Sequence, residues 1–353
     1  MDLITMLKEA VDKQASDIFI VSGLPVSYKL NGLIQPQDNE IILPETSEKL
    51  ITEAYKLADR AITKLRSTGD DDFSISVKGL SRFRISAYKQ RGSLAAVIRI
   101  VSFDVPDYKE MSIPENIMNI SEKTKGLVLV TGPAGGGKST TLACIIDRIN
   151  STRNSHIITL EEPIEYLHKN KKSVISQREV HADTEGYVPA LRASLRQSPD
   201  VILVGEMRDF ETIKTAMTAA ETGHLVISTL HSVGAANTID RVIDVFPPNQ
   251  QQQIRVQLSQ LLQTVISQQL VPAVDGKLVP AFEIMHCNGA VRNMIRESKI
   301  HQIDNAINSF GNEGMISMDA YLLELFKKKI ISAETAIRFS FNSDSTERKI
   351  SIM

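Results

Sequence analysis

The eight residues Gly132-Pro133-Ala134-Gly135-Gly136-Gly137-Lys138-Ser139 fit the pattern G-x-x-x-x-G-K-[ST]. Glycines at this spacing let backbone N–H groups turn inward around phosphate oxygens. Lys138 is placed to reach the β- and γ-phosphates, and Ser139 to offer its hydroxyl to Mg²⁺. Thr140 follows on the first turn of a helix whose positive dipole end adds to the anion site. The pattern points to a nucleotide with Mg²⁺, ATP being the expected one, but not to what the nucleotide is used for.

Hydrolysis needs a further group that orients the attacking water. The run "ITLEEPIEY" offers Glu161, Glu162 and Glu165, and Pro163 stops a strand there. Carboxylates at the carboxyl edge of a sheet stand where α/β proteins bind ligands, although any one of them alone also suits an acidic surface loop. In "PDVILVGEMRD" four apolar residues are followed by Gly205, and the acid, Glu206, comes one place later than a Walker B aspartate does. "TGHLVISTLHS" sets His224 before a buried strand and His231 after it. A lone histidine is more often a packing residue than a catalytic one, and His231, at a strand's carboxyl end, is the better functional candidate. The run "YVPALRASLRQS" puts Val188, Leu191 and Leu195 on one helical face and Arg192 with Arg196 on one edge, four apart. Such a pair is either a solvated face or two cations for a γ-phosphate, in the same subunit or across a boundary. Arg178 and Arg208 join that set.

These side chains need a parallel sheet to hold them. Strands are expected at Gly126–Thr131, His156–Leu160, Asp200–Val204 and Leu225–Ser228, alternating with helices in a three-layer α/β core. Before them a small α+β domain is expected. It has a helix over Leu3 to Lys13, two strand runs around Gly23-Leu24-Pro25, and a helical stretch from Pro44 to Arg66 capped by Thr46 or Ser47. Three strands joined in part by a Gly92-Ser93 turn complete it. From Pro247 onward the pattern reads as mainly helical, with Pro272 and Pro280 bracketing a short non-helical piece and Gln250 to Gln253 on a solvated face. The divisions expected are 1–101, a linker 102–124, an ATPase core 125–271 and a mainly helical region 272–353.

The 353 residues exceed one comfortable core, and 40 basic against 42 acidic residues give a net charge of −2, which offers no broad field for nucleic acid. Two distant cysteines, Cys144 and Cys287, fit a reducing compartment better than a disulfide or zinc scaffold. No signal peptide and no apolar run of the roughly 18 to 20 residues that spans a bilayer is visible. A cytoplasmic protein is expected, with any membrane association through partners.

"GPAGGGKSTTLA", "ITLEEPIEYLH", "QREVHADTEGYVPALRASLRQSPDVILVGEMRD", "AAETGHLVISTLHS" and "NTIDRVIDVFPP" resemble, in order and spacing, the secretion-type hexameric ATPases, and within them the retraction ATPases of type IV pili. The resemblance runs over nearly the whole chain. It includes "KQASDIFIVSGLPVSYKLNG", similar to that family's N-terminal PAS-like domain, and "AVRNMIRESKIHQI", which resembles its signature helix. By its own pattern the latter turns Val291, Met294 and Ile295 inward and Arg292 with Arg296 outward.

The resemblance implies a PAS-like domain followed by a RecA-like P-loop core, and a homohexamer with nucleotide between each subunit's two domains. It also implies work at an inner-membrane pilus platform protein, with a possible paralogous motor and no direct nucleic acid. By the same resemblance, Glu165 matches the catalytic glutamate and Glu206 the Walker B acid that shares Mg²⁺ with Ser139. His224 and His231 match the histidine box, and Arg178, Arg192 and Arg196 the arginines near nucleotide.

Three departures from the family pattern stand out: Ala134 and Gly136 in place of hydroxyl residues, and Glu162 in place of aspartate. The rival readings are a pilus-assembly or secretion ATPase, a DNA-translocating conjugation-type ring and a nucleotide-binding regulator that does not hydrolyse. Against the first, the chain has room for neither a long N-terminal extension nor a tetracysteine module. The tail "FSFNSDSTERKISIM" carries no usable pattern.

Overall fold

The computed structural model describes residues 2–30, 32–101 and 105–352. They divide into two compact units, one running through Val101 and including Glu165–Leu167, the other from Val105 to Ile164 and from His168 onward. Positions 102–104 of the expected linker lie outside the described residues.

The first unit contains α1 (Leu3–Asp12), β1 (Asp17–Ile20), β2 (Ser27–Leu30), β3 (Leu33–Pro36), α2 (Pro44–Leu57), α3 (Thr63–Thr68), β4 (Asp70–Val77), β5 (Ser81–Gln90) and β6 (Ser93–Val101). Its sheet runs β3-β2-β1-β6-β5-β4, antiparallel throughout. Phe73, Ile75, Phe83, Ile85 and Ala87 alternate into a core shared with Leu3, Met6 and Leu7 of α1 and Leu50 and Ile51 of α2. Three local expectations are corrected. The stretch from Pro44 to Arg66 is two helices, not one. Pro44 opens the first of them after Leu43, while the buried Ser47 hydroxyl donates to Leu94 O at 2.9 Å and does not cap the helix. The hairpin turn is Arg91-Gly92, both at positive φ (47° and 81°), one residue earlier than expected, as a two-residue type I′ turn requires.

The second unit contains α4 (Glu115–Met118), β7 (Gly126–Thr131), α5 (Lys138–Thr152), β8 (His156–Glu161), β9 (Val174–Glu179), α6 (Tyr187–Ser194), β10 (Val201–Val204), α7 (Phe210–Glu221), β11 (Leu225–Leu230), α8 (Ala235–Asp244), α9 (Pro248–Leu261), β12 (Leu262–Pro272), β13 (Leu278–His286), α10 (Gly289–Arg296), α11 (Ile303–Ser309), α12 (Met318–Lys327), α13 (Ala333–Phe339) and α14 (Ser343–Ser351). The sheet order is β13-β12-β7-β11-β10-β8-β9, parallel except for the β12–β13 hairpin. Strand β7 is buried on both faces. Leu127 and Leu129 pack with α6 to α11, and Val128 and Val130 pack with α4 and α5.

The mainly helical reading after Pro247 therefore fails over 262–286, where two long strands extend the sheet, and the division expected at 271/272 falls inside their hairpin. The segment expected as linker also contributes buried Ile113, Ile117, Met118 and Ile120 to this core. The unpatterned tail forms α14, capped by the Asn342 side chain accepting from Ser345 N. Cys144 and Cys287 are both free and buried, and burial pushes each thiol up to about 11. Among the described residues no helix is long and apolar enough to cross a membrane.

Candidate active site

The phosphate-loop pattern sits between β7 and α5, at the carboxyl edge of the sheet. Gly132 has φ 139°, and a Cβ there would lie 2.0 Å from Gln268 O of the adjoining β12. Only glycine satisfies both that conformation and that approach. At Gly137 (φ 82°) a Cβ would meet Gln268 Nε2 at 2.7 Å. Lys138 is buried, and its ammonium donates to Gly132 O (2.9 Å) and Pro133 O (2.8 Å), drawn against the loop it serves. Gly136 is also explained: a side chain there would crowd Pro133 O at 3.0 Å and Gln268 O at 3.2 Å. Ala134 is exposed on the loop.

The register of the parallel strands determines what stands beside the loop. Leu230 of β11 pairs with Thr131 of β7, so His231 follows β11 where Gly132 follows β7. Val204 of β10 pairs with Ser228 of β11, so Glu206 emerges at the same edge one strand further on. The chain after β10 is pinned there, with Thr229 Oγ1 donating to Gly205 O at 2.6 Å and Met207 N to Thr229 O at 3.1 Å. Glu206 is nearly buried and contacts Arg208 Nε at 2.6 Å and His231 Nε2 at 3.3 Å through the same oxygen. Phosphate loop, histidine and acid thus occupy consecutive strands, about 5 Å apart per strand.

The other candidate residues are placed differently. His224 precedes β11, so a strand of six residues, about 20 Å long, separates it from the loop in the same chain. Its Nδ1 lies 2.9 Å from Ala219 O and 3.1 Å from Thr222 Oγ1, at the end of α7. The structure does not bring His224 to the phosphate site of its own chain. Arg178 lies at the carboxyl end of β9, four strands from β7 and so about 19 Å away, and donates to Asp183 O at 3.1 Å.

Arg192 is exposed and pairs with Glu211 at 3.1 Å. Helix α6 ends at Ser194, so Arg196 lies beyond it, donating back to Arg192 O at 3.2 Å. The residues that α6 buries are Ala190, Leu191 and Ser194, with Val188 in its first turn and Leu195, just past its end, only half-buried. Among the acids after β8, Glu161 accepts from Thr159 Oγ1 at 2.6 Å, and Glu162 lies 3.2 Å from His181 Nε2, with both side chains exposed. Glu165 is exposed and belongs to the first compact unit.

Two residues that sequence reasoning missed are built into the site. Gln268, 2% exposed, accepts from Thr141 Oγ1 of α5 at 2.7 Å. Glu283, also 2% exposed, accepts from Ala235 N at 2.7 Å at the start of α8 and, at 3.4 Å, from Met318 N at the start of α12. Burial raises its carboxyl to about 7, against those backbone donors that lower it. No motif marked either residue. Their signal was the pairing of β12 with β7 and of β13 with β12, which only the fold supplies.

The donor set fits ATP with Mg²⁺. Gly132, Gly136 and Gly137 are packed so closely against Gln268 and Pro133 that side chains there are excluded and the backbone is left to face phosphate, and Ser139 on the first turn of α5 offers a hydroxyl oxygen to a hydrated Mg²⁺. Glu206 adds a carboxylate at the same sheet edge.

Residues 2–311 match the Type II/IV secretion system protein family. The chain is 44% identical over 338 residues to the type IV pilus retractation ATPase PilT of Pseudomonas aeruginosa, covering 95% of this chain and 97% of that one. It is 48% identical over 275 residues to a twitching motility protein of Neisseria gonorrhoeae, covering 78% and 74% of the two. Among solved structures, that of the pilus retraction motor PilT with bound ADP superimposes with a TM-score of 0.90, at 43% identity and 99% of both chains.

Proposed function

This chain belongs to the Type II/IV secretion system protein family, and from that premise we propose that it is an ATP-hydrolysing motor that powers retraction of type IV pili. The observation that carries the reading is the placing of phosphate loop, His231 and Glu206 on three consecutive strands of a chain similar end to end to retraction motors.

Backbone N–H groups from Ala134 to Gly137 and the start of α5 hold the phosphates, and Lys138 exchanges its loop carbonyls for β- and γ-oxygens. Mg²⁺, when bound, neutralises charge developing on those oxygens. Ser139 and Glu206 are the residues that would hold it. His231 and Arg208 keep the Glu206 carboxylate oriented toward the sheet edge. Glu165 orients the attacking water. Arg178, Arg192, Arg196 and His224, distant from or unconnected to this chain's own loop, are offered to nucleotide held by a neighbouring subunit of a homohexamer. The motor works at the cytoplasmic face of the inner membrane on a pilus platform protein, beside any paralogous motor.

The test is Glu165→Gln expressed in cells lacking the wild-type copy, with surface pili counted and ATP turnover measured on the purified protein. Abundant non-retracting pili and intact nucleotide binding without turnover are expected. Bald cells would instead assign the chain to assembly, and unchanged pili with a DNA-transfer defect to a conjugation-type machine. Lys138→Ala should lose nucleotide binding or turnover.

A further inference from the structure

Three consecutive residues of β12 each hold a different part of the second unit. Ser267 accepts from Gly234 N at 2.9 Å, in the turn between His231 and α8. Gln268 holds the Thr141 hydroxyl of α5 at 2.7 Å. Gln269 donates through Nε2 to Phe339 O at 2.9 Å, at the end of α13. Because successive strand side chains point to opposite faces, Gln268 serves the nucleotide side alone, and its two neighbours serve the other.

Gln268 also presses on the loop with both its backbone and its side chain. Its backbone carbonyl oxygen is the atom that excludes a side chain at Gly132, and its side-chain Nε2 the one nearest a side chain at Gly137. A cavity of about 220 Å³ opens at this point, lined by Gly137, Thr140, Thr141, Gln268, Leu270 and Ile113. Gln268 therefore lies where the first turn of α5, the loop and the cavity meet. At the other end of the strand, β12 continues without a break from α9. The last carbonyls of α9, Ser259 O and Gln260 O, accept from Arg292 Nη1 at 2.6 and 2.7 Å. Arg292 lies in α10, the segment "AVRNMIRE".

We propose that Gln268 is a positioning residue for ATP turnover, its side-chain amide fixing the first turn of α5 against β12 and so coupling occupancy of the phosphate loop to the strand that Arg292 and Gln269 tie to the C-terminal helices. The proposal rests on the ATPase reading above. The physical argument is one of rigidity: a buried hydroxyl–amide bond cannot stretch by more than a few tenths of an ångström without being lost. When the first turn of α5 shifts toward bound phosphate, β12 either moves with it or gives up that bond. No covalent step is assigned to Gln268, which reaches the reaction only through Thr141 and the loop.

The test uses the full-length protein and its variants Gln268→Leu, Thr141→Val, the double variant and Thr141→Ser, with ATP for turnover and ADP for binding. Each of the first two should lower kcat about tenfold, the factor given by roughly 1.4 kcal/mol in the barrier, with KM changed less than about threefold. The double variant should be no slower than either single one, since both remove the same bond. Thr141→Ser, which keeps the hydroxyl, should turn over as wild type does. Hydrogen exchange with and without ADP supplies a second readout: ADP-dependent protection of β12 and the end of α9 in the wild type should disappear in Gln268→Leu, while protection of the loop persists. Additive losses, unchanged kcat, unaltered protection of β12, or loss of loop protection together with that of β12 would each overturn the proposal. Should Gln268→Leu not fold, Thr141→Val, a near-isosteric change, carries the same two readouts. A wild type that binds ADP without hydrolysing ATP would sink the motor reading, and the exchange comparison would still decide the role of Gln268.

Discussion

Gly205 stands where an aspartate usually closes a Walker B strand, and its neighbours explain why. A Cβ at that position would lie 2.9 Å from the Tyr187 hydroxyl and 3.2 Å from Leu160 O of the next strand. The acid is therefore displaced to Glu206, where the chain has turned outward far enough to meet His231 and Arg208. Gly205→Ala should destabilise the protein by about 1–3 kcal/mol through overpacking, lowering the thermal midpoint by several degrees, and adding Tyr187→Phe should restore part of the loss. Calorimetry of the three variants decides it, and a midpoint unmoved by Gly205→Ala would remove Tyr187 from the explanation. At this scale the sequence singled out as candidates residues whose type is tied to the chemistry: the glycines, Lys138, Ser139, Glu206 and His231. It did not disclose Thr141, Gln268 or Glu283, because a threonine, a glutamine or a buried glutamate acquires its role from what a distant strand brings beside it.

Among the elements, α9 and β12 meet without a loop. The last residue of the helix is followed at once by extended backbone, so its final carbonyls need a partner from elsewhere, and Arg292 supplies it. The spacing of "AVRNMIRE" had put both arginines outward. Val291 and Ile295 are indeed buried and Arg296 exposed, but Arg292 folds back and is half-buried. Arg292→Ala should cost about 1.5–3 kcal/mol in urea unfolding, the range for a hydrogen bond made by a charged group, and Arg292→Lys should recover part of it. A change within about 0.5 kcal/mol would make it an ordinary surface residue. The sequence concealed β12 itself for a related reason. A strand buried on both faces lacks alternation, and "LLQTVISQQLVP" continues the mixed glutamine and aliphatic composition of the preceding helix without a glycine or proline to separate them. The tail helix α14 was legible in hindsight, with Asn342 as N-cap, Asp344 in its first turn and Arg348 and Lys349 in its last.

For the molecule as a whole, Glu283 joins the starts of two helices distant in sequence, α8 and α12, in one buried carboxyl. Its folded value of about 7, raised by burial and by Asp304 and Asp319 from an ordinary 4.5, means that the folded state holds this proton more tightly than the unfolded chain does. The corresponding stability is fully present below 4.5 and is lost as pH rises through 7. Relative to Glu283→Gln, the wild type should thus lose unfolding free energy between about pH 5 and 8, by an amount on the order of 1–3 kcal/mol, when both are titrated with urea. Parallel curves would exclude it. The comparison cancels His168, whose imidazole burial pushes down to about 4 and which acts in the opposite sense. At this scale the alternation of strands and helices in 125–240 was enough to place a parallel α/β core, because periodicity and order are local properties. The sheet's extension to β13 was not, since it depends on residues more than a hundred positions from β7.

The two buried cysteines have a consequence of another kind. With each thiol pushed up to about 11, only about one molecule in ten thousand carries a reactive thiolate at neutral pH, and neither sulfur is open to reagent. Alkylation of the native chain must therefore wait for a local opening, and its rate counts such openings. Cys144 lies on α5 one turn beyond Thr141, its Sγ 3.3 Å from Pro106 O, and Cys287 closes β13 just before α10. The unmodified protein thus carries two natural stopwatches, one on the nucleotide helix and one at the entrance to the arginine-bearing helix.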